Sequence, residues 1–172
     1  MSGGIFIRQN FQMYTKLVFI EKVRQEIENM ILELLADIER IKKLDGKSIM
    51  LPVSDENIQT IKEWISRNIS ENLWISEYGN LLKKVNGLEF NGLVIYNAKP
   101  DDENNGFIGA NEIWRDNEWD SNYLFFGDSS ISWYCLDIDN YVFLELDKPS
   151  GNIVDEFNSF DEMINEAMKS VL

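Results

Sequence analysis

The stretch Tyr78–Tyr96, YGNLLKKVNGLEFNGLVIY, decides the fold because it joins an amphipathic helix directly to a β-rich run. Its first half carries apolar residues at helical spacing, namely Leu81, Leu82 and Val85. Lys83 and Lys84 occupy what would be the last turn, and Gly87 stands where a left-handed C-cap ends a helix. We therefore predict a helix that ends at Gly87.

The second half of the stretch is typical of a strand. Asn91-Gly92 is a turn signal, and the residues from Leu93 to Tyr96 are branched or aromatic at most positions. The chain is therefore expected to pass from helix to sheet here without a linker.

A long amphipathic helix is predicted from residue 17 to residue 44, because apolar residues fall on one of its faces and charged residues fill the other. The apolar residues are Ile20, Val23, Ile27, Met30, Ile31, Leu34, Ile38 and Ile41. Gly46 should end this helix, and Ser54 is the predicted N-cap of a second one. Residues 1–12 precede a second methionine, Met13, and we interpret them as an added leader that is disordered. The domain is then expected to span residues 13–172.

The long helix would also suit self-association. Ile20, Ile27, Leu34 and Ile41 recur at intervals of seven, as in the seam of a coiled-coil homodimer, although Asp37 falls where such a seam needs an apolar residue. We favour packing of this helix on its own domain over a homodimer.

The second half of the chain is predicted to be mainly strands. Residues 97–109 are rich in Asn, Asp, Gly and Pro and indicate a solvated loop, followed by a short helix at 111–119. Strands are expected at 123–126, 132–138, 141–146 and 153–157, before a closing helix at 160–171. Together these elements predict a single α+β domain, with N-terminal helices packed on a mainly antiparallel sheet and a C-terminal helix.

Three ordered motifs in this chain resemble those of the SUKH superfamily. The first, a Tyr, a Phe or Leu followed by Leu, and an Asn-Gly before a strand, is matched by Tyr78, Leu81, Leu82, Asn86 and Gly87. The second is a Gly-Asp turn before a strand ending in Leu-Asp, matched by Gly127-Asp128 and residues 133–137. The third is a closing helix that opens with Ser-Phe and an acidic residue, matched at Phe160. The chain departs from the pattern at Trp74-Ile75, where a Leu-Pro often stands, and in its long first helix.

The resemblance implies a SUKH-like fold in which these motif residues are mainly structural. It also implies a bacterial immunity protein, one that binds a toxin made by the same cell or its kin and blocks it stoichiometrically, without catalysis.

The charge of the chain limits its partners. Sixteen basic and 30 acidic residues give a formal net charge of −14, which repels phosphate backbones and anionic lipid headgroups. We therefore expect neither nucleic acid nor membrane as a partner. The negative charge would instead steer association with a basic protein. Toxins that bind nucleic acid, such as nucleases, usually have basic clefts. The alternative is that the charge serves solubility alone.

The sequence lacks the residues that most catalytic mechanisms require. It has no histidine, which removes the commonest general base and the usual zinc ligand, and it has no phosphate-binding glycine motif. Asp101, Glu103 and Asn105 superficially resemble alternate ligands of a calcium loop but lack the glycine and the final glutamate at the required offsets. We expect no metal, no cofactor and no catalysis. Cys135, the single cysteine, is expected in the core of a strand, and the absence of a signal peptide or long apolar run indicates a cytoplasmic protein.

Candidate contact residues for a basic partner lie in three acidic segments. They are Asp101, Asp102 and Glu103; Trp114, Asp116, Glu118, Trp119 and Asp120; and the pair Asp137 and Asp139. Trp114 and Trp119 would be either aromatic anchors for the partner or lids on the sheet. The two aspartates of the last pair, two apart on a strand, would share one face. An alternative function is a regulatory or scaffold module that binds another cellular protein, and a carboxylate-dependent enzyme is a third hypothesis.

Overall fold

A computed structural model describes residues 3–116 and 122–172 of the chain, and it describes side chains from residue 13 onwards within those ranges. The helices are α1 (Gly3–Leu44), α2 (Asp55–Asn68), α3 (Ser76–Leu82), α4 (Phe107–Asp116) and α5 (Phe160–Lys169). The strands are β1 (Leu88–Phe90), β2 (Leu93–Ile95), β3 (Tyr123–Asp128), β4 (Ser132–Asp137), β5 (Val142–Asp147) and β6 (Ile153–Phe157).

The six strands form one antiparallel sheet in which spatial order equals chain order. The longer connection from β2 to β3 contains α4, and short turns join the other neighbouring strands. The β1–β2 turn places Asn91 at φ 46° and Gly92 at φ 86°, both in the left-handed region that a two-residue hairpin requires. The predicted α+β class, with an antiparallel sheet and a C-terminal helix, is confirmed.

An aromatic cluster forms the centre of the core, where the helices meet the sheet. The Tyr78 ring lies 5.3 Å from Phe107, 5.1 Å from Phe126 and 5.5 Å from Phe160, measured between centroids. The buried Tyr78 hydroxyl donates a 2.7 Å hydrogen bond to the backbone oxygen of Tyr96, so this polar atom is satisfied. Tyr78 thereby joins α3 to the end of β2.

Helix α1 begins at Gly3, well before the predicted start at residue 17, so residues 3–12 are helical where the sequence led us to expect disorder. No proline interrupts this part of the chain. The interpretation of residues 1–12 as an added leader stays a prediction.

At its C-terminal end α1 stops at Leu44, and Gly46 (φ 70°) follows as predicted. The predicted packing of α1 on the domain is confirmed for its C-terminal half, where Ile31, Leu35 and Ile38 are buried.

The predicted cap of α2 is confirmed, because the Ser54 hydroxyl accepts a hydrogen bond from the Asn57 N–H at 3.2 Å.

Helix α3, by contrast, ends at Leu82, and the prediction of a helix running to Gly87 is wrong. The backbone turns away earlier because it pairs with the segment before α2: Val53 N–H donates to Leu82 O and Asn86 N–H to Leu51 O.

The bounds of the strands were predicted more accurately than the start of α4. Strand β6 has the predicted bounds, the other predicted strands differ by one or two residues, and β1 was missed. Helix α4 begins at Phe107, inside the predicted loop 97–109, rather than at residue 111. Cys135 is fully buried in β4, as predicted.

Candidate binding surface

Helix α4 lies against the part of β3 that β2 leaves unpaired. Strand β2 pairs with β3 only at residues 127 and 128, and Tyr96 N–H adds a bond to Phe126 O. One residue earlier, the side chain of Asn111 takes the place of a strand. Its Oδ1 accepts from Phe125 N–H and its Nδ2 donates to Phe125 O, both at 2.8 Å. Helix α4 therefore covers a strand edge that would otherwise present free backbone groups.

The acidic loop folds back onto the first turn of α4. A Cβ on Gly106 would lie 2.3 Å from the backbone oxygen of Asp102, and a Cβ on Gly109 would lie 3.0 Å from the same oxygen. Gly106 therefore has no room for a Cβ, and at Gly109 a Cβ would fit only if the loop shifted slightly. The loop reaches this position because the Asp102 carboxylate accepts hydrogen bonds from Asn105 N–H at 2.9 Å and from Asn97 Nδ2 at 2.8 Å. These bonds, the one from Asn105 first, hold the pKa of Asp102 below its ordinary value.

Asp102 thus organises the loop, and its neighbours Asp101 and Glu103 are exposed. The exposed face of α4 continues from them with Glu112, Ile113 and Asp116. We call these exposed acidic residues, together with Asp139 beyond β4, the acidic strip; its members are Asp101, Glu103, Glu112, Asp116 and Asp139.

The strip follows the length of α4. Helix α4 runs antiparallel to β3, because Phe107 N–H donates to Asn97 O at one end and Arg115 donates to Tyr123 O at the other. Loop 101–103 therefore lies at the start of α4, and Asp116 lies about 15 Å away at its end, given a rise of about 1.5 Å per residue. The predicted acidic segments form two groups at opposite ends of one helix.

Arg115, a basic residue of α4, is directed away from the strip. Its guanidinium donates to Asn111 O and Tyr123 O, both at 3.3 Å, and lies 5.4 Å from the ring centroid of Trp64. Burial lowers the pKa of Arg115 from its ordinary value without discharging it. The exposed face of α4 therefore stays acidic.

Trp114 packs on the sheet. Its ring stacks on Phe125 with centroids 4.7 Å apart and meets Trp133 edge-on at 4.8 Å. Of the two predicted roles, the lid fits this placement and the protruding anchor does not. Glu118, Trp119 and Asp120 lie outside the described residues.

Asp137 and Asp139 do not share a strand face, because β4 ends at Asp137 and Asp139 belongs to the following turn. The Asp137 carboxylate accepts from the N–H groups of Asp139 and Asn140, both at 3.1 Å, and from Asn122 Nδ2 at 3.0 Å. Asn140 Nδ2 donates a further bond at 2.8 Å. Burial raises the pKa of Asp137, but the hydrogen bonds, led by the one from Asn140 Nδ2, together lower it by more, so the carboxylate stays ionised as the cap of the turn. Asp139 alone of the pair is exposed to a partner.

The residues that carry the SUKH resemblance occupy structural positions. Asn86 Oδ1 accepts from Ala98 N–H at 2.8 Å, and a Cβ on Gly127 would lie 2.4 Å from Val94 O. Asp128 accepts from Tyr96 Oη at 2.9 Å and from Lys148 Nζ at 2.7 Å, and thereby joins three strands or strand ends. The other motif residues, Tyr78, Leu81, Leu82 and Phe160, are buried in the core, and Gly87 has a φ of 78°.

Sequence reasoning missed a second acidic group, between α1, α3 and α5. We call Glu28, Glu77 and Asp161, with Arg24 and Lys84, the α1–α5 cluster; these residues line a cavity of about 220 Å³. Arg24 Nη2 lies 3.3 Å from Glu77 Oε1, and Lys84 Nζ lies 2.9 Å from Glu28 Oε1. No sequence signal could have found this cluster, because its residues come from segments far apart in the chain.

Among the described residues, no lysine or arginine forms an ion pair of this kind with Asp161. Burial, and then the charge of Glu77, raises the pKa of Asp161 from its ordinary 3.8 to about 6; Glu28 adds to this, while Arg24 and Lys84 oppose it. The folded chain therefore binds a proton at Asp161 more tightly than the unfolded chain does. Its ionisation costs folding free energy at neutral pH. From this group alone, stability falls as the pH rises from about 4 to about 6 and is constant above.

Within residues 3–116 and 122–172, no three cysteine, aspartate or glutamate side chains are placed to hold a metal ion. None of the helices in these ranges is long and apolar enough to cross a membrane. Compared with models of known protein families, the chain matches none, and the comparison with curated proteins likewise gives no match. The SUKH resemblance therefore rests on the three motifs alone.

Proposed function

We propose that this chain is an immunity protein that neutralises a bacterial toxin with a basic surface, and that the acidic strip makes the first contact. The toxin is bound in a stoichiometric complex that occludes its active or substrate-binding site, and the chain performs no catalysis. The observation that carries the proposal is the acidic face of α4, which is flanked by exposed carboxylates at both ends and whose arginine is directed inwards.

Two further points support it. The carboxylates that are held by backbone or side-chain hydrogen bonds, Asp102 and Asp137, keep the loop and the turn rigid. Exposed neighbours on rigid supports lose little conformational entropy when a partner binds. The resemblance of the motifs to those of SUKH immunity proteins supports the same function independently of charge.

The first experiment co-expresses the chain with the toxin-like protein encoded beside its gene. We expect the cells to survive and the two proteins to co-purify in a fixed ratio. Cell death with an active toxin and a soluble chain, together with failure to co-purify, would refute the proposal and favour the scaffold alternative.

The second experiment tests the strip itself. The triple variant Asp101→Asn, Glu103→Gln, Asp116→Asn removes three negative charges from the strip. Its matched control, Glu33→Gln, Glu71→Gln, Glu89→Gln, removes the same number from exposed positions elsewhere. We expect the strip variant to associate with the toxin about tenfold more slowly and with a weaker salt dependence, because steering depends on charge near the contact.

The control should change the association rate by less than about threefold. Stopped-flow association measured at several salt concentrations gives both quantities. Equal effects of the two triple variants would show that only the net charge matters, and unchanged rates in both would refute electrostatic steering altogether.

A further inference from the structure

The N-terminal half of α1 carries, from residue 13 to residue 20, an apolar surface that no described residue of this chain covers. We call residues 13–20 the N-terminal arm. Its large apolar side chains are half or more exposed, at 59% for Met13, 68% for Tyr14, 59% for Leu17, 52% for Val18, 66% for Phe19 and 50% for Ile20. Scattered exposed apolar residues are ordinary, but a continuous run of this size marks an interaction site.

The arm continues the stripe by which α1 packs on the domain. Ile31, Leu35 and Ile38 are buried against the core. Met13, Leu17 and Ile20 stand 18 positions before them, which is about five full turns of an α-helix and therefore the same face. Among the described residues, the packing of α1 on the core begins at Ile27, so the stripe runs on for about two turns beyond the body.

A groove opens where the arm leaves the body. It has a volume of about 400 Å³ and lies between the arm and the start of α5. Its α1 wall is apolar at Phe19, Ile20 and Ile27 and carries one cation, Arg24, which pairs with Glu77. Its opposite rim is acidic, from Asp161 and Glu162. An apolar helix with a basic residue would match both walls.

The arm itself has those properties. Residues 1–20 contain two of the sixteen basic residues, Arg8 and Lys16, and none of the 30 acidic ones. The remainder of the chain is strongly acidic. A second copy of this chain therefore offers the arm an acidic, partly apolar groove, while an anionic membrane would repel the acidic body that the arm is attached to.

The area is sufficient for such a contact. Aromatic side chains such as Tyr14 and Phe19 bury about 150–250 Å² each and the aliphatic ones less, so six such side chains that are half or more exposed offer on the order of 600 Å² per protomer. A standard interface buries about 800 Å² per partner, and the groove walls would supply the difference.

We propose that two copies of this chain form a two-fold symmetric dimer, in which the arm of each copy lies in the groove between α1 and α5 of the other. The contact is reciprocal, and Lys16 of each arm faces the acidic rim of its partner's groove. This is a different contact from a coiled coil along Ile20, Ile27, Leu34 and Ile41, because Ile27 and Leu34 are partly buried on their own domain. The inference does not rest on the proposed function, since the arm and the acidic strip share no residue.

The test is the mass of the full chain in sedimentation velocity over a range of concentrations. We expect a dimer whose dissociation constant rises at least about tenfold in Leu17→Glu, because a charge then enters the apolar contact of each arm. Ile131→Glu is the matched control: Ile131 is 69% exposed, lies between β3 and β4, and receives the same charge change. It should dimerise like the original chain.

Two further measurements test the charge dependence of the dimer and distinguish dimerisation from membrane binding. Lys16→Glu should also weaken the dimer, and added salt should reduce the difference between Lys16→Glu and the original chain. Flotation with vesicles of anionic and zwitterionic phospholipid tests a membrane instead. A chain that is monomeric at every soluble concentration overturns the proposal, and so does a monomer that floats with anionic vesicles or a dimer that Leu17→Glu leaves intact.

Discussion

Replacing Asn111 by leucine should be among the most damaging single changes in this fold. Asn111 is fully buried, and its amide satisfies both backbone groups of Phe125 at 2.8 Å, while Nδ2 also donates to Phe107 O at 2.8 Å. Leucine has a similar size and no polar atom. The N–H and C=O of Phe125 would then stay buried without the partner that a neighbouring strand or a polar side chain normally supplies.

The cost can be worked from these bonds. Each buried backbone group left without a partner costs about 1–3 kcal/mol, and the apolar leucine returns about 1 kcal/mol by its own burial. With two such groups, we therefore expect Asn111→Leu to lower the free energy of unfolding by about 1–5 kcal/mol, against the about 5–15 kcal/mol typical of a domain.

Asn165 provides a matched control on α5. It is 4% exposed, its Nδ2 donates to Glu166 Oε1 at 3.2 Å, and its Oδ1 has no hydrogen-bond partner among the described residues. Asn165→Leu removes an unsatisfied oxygen and leaves no backbone group without a partner. Its effect on the free energy of unfolding should lie between zero and a gain of about 1 kcal/mol.

The assay is urea unfolding followed by far-UV circular dichroism, with the denaturant slope checked for equality among the three proteins. Asn111→Asp adds a graded test, because it keeps an acceptor for Phe125 N–H but cannot donate to Phe125 O. A loss of less than about 0.5 kcal/mol for Asn111→Leu, or equal losses for Asn111→Leu and Asn165→Leu, would refute the assignment of Asn111 as a substitute for a strand.

Two other substitutions test particular features of the fold. Asp161→Asn should raise the free energy of unfolding at pH 7 by about 1–2 kcal/mol after allowance for screening, and should have no effect below about pH 3, where the carboxyl is protonated in both states. Asp55→Asn, an exposed first-turn aspartate of α2, should instead cost about 0.5 kcal/mol, and a gain there would contradict the reasoning. Gly87→Ala should cost about 3 kcal/mol or more in a thermal or urea melt, because φ is 78° and the new Cβ would lie 2.7 Å from that of Asn97. Gly46→Ala, at φ 70° with no atom within 4 Å, should cost only about 1 kcal/mol, so equal losses would exclude the close approach at Gly87.

The elements that could be predicted from sequence are those that local residues determine. Ser54 caps α2 through its own hydroxyl, and the β4 and β5 bounds follow turn residues that can adopt few conformations. The end of α3 and the start of α4 could not be predicted in this way. The first depends on backbone pairing with residues 51–53, and the second on the close approach of Gly106 to Asp102. Both depend on contacts that sequence spacing does not show.

The residues of the candidate site, like the elements of the fold, could be predicted only in part. The acidic composition of the loop and of α4 was visible, but a carboxylate that caps a turn and one that faces solvent look alike in sequence. Asp102 and Asp137 proved to be held by hydrogen bonds, and Asp101 and Asp139 are exposed. The α1–α5 cluster could not be seen at all, because only the packing of α1 on α3 and α5 brings Glu28, Glu77 and Asp161 together.

The proposed toxin contact and the proposed dimer contact use different residues of the chain, so each can be removed without the other. Removing the arm contact with Leu17→Glu should leave each acidic strip unchanged, so the monomeric variant should bind toxin at the association rate, per chain, of the dimer. Conversely, the strip triple variant should keep its dimer, since none of its three positions lies on the arm or in the groove. If instead Leu17→Glu abolished toxin binding while the chain stayed folded, the arm would be part of the toxin site. The acidic strip would then not be sufficient to account for immunity.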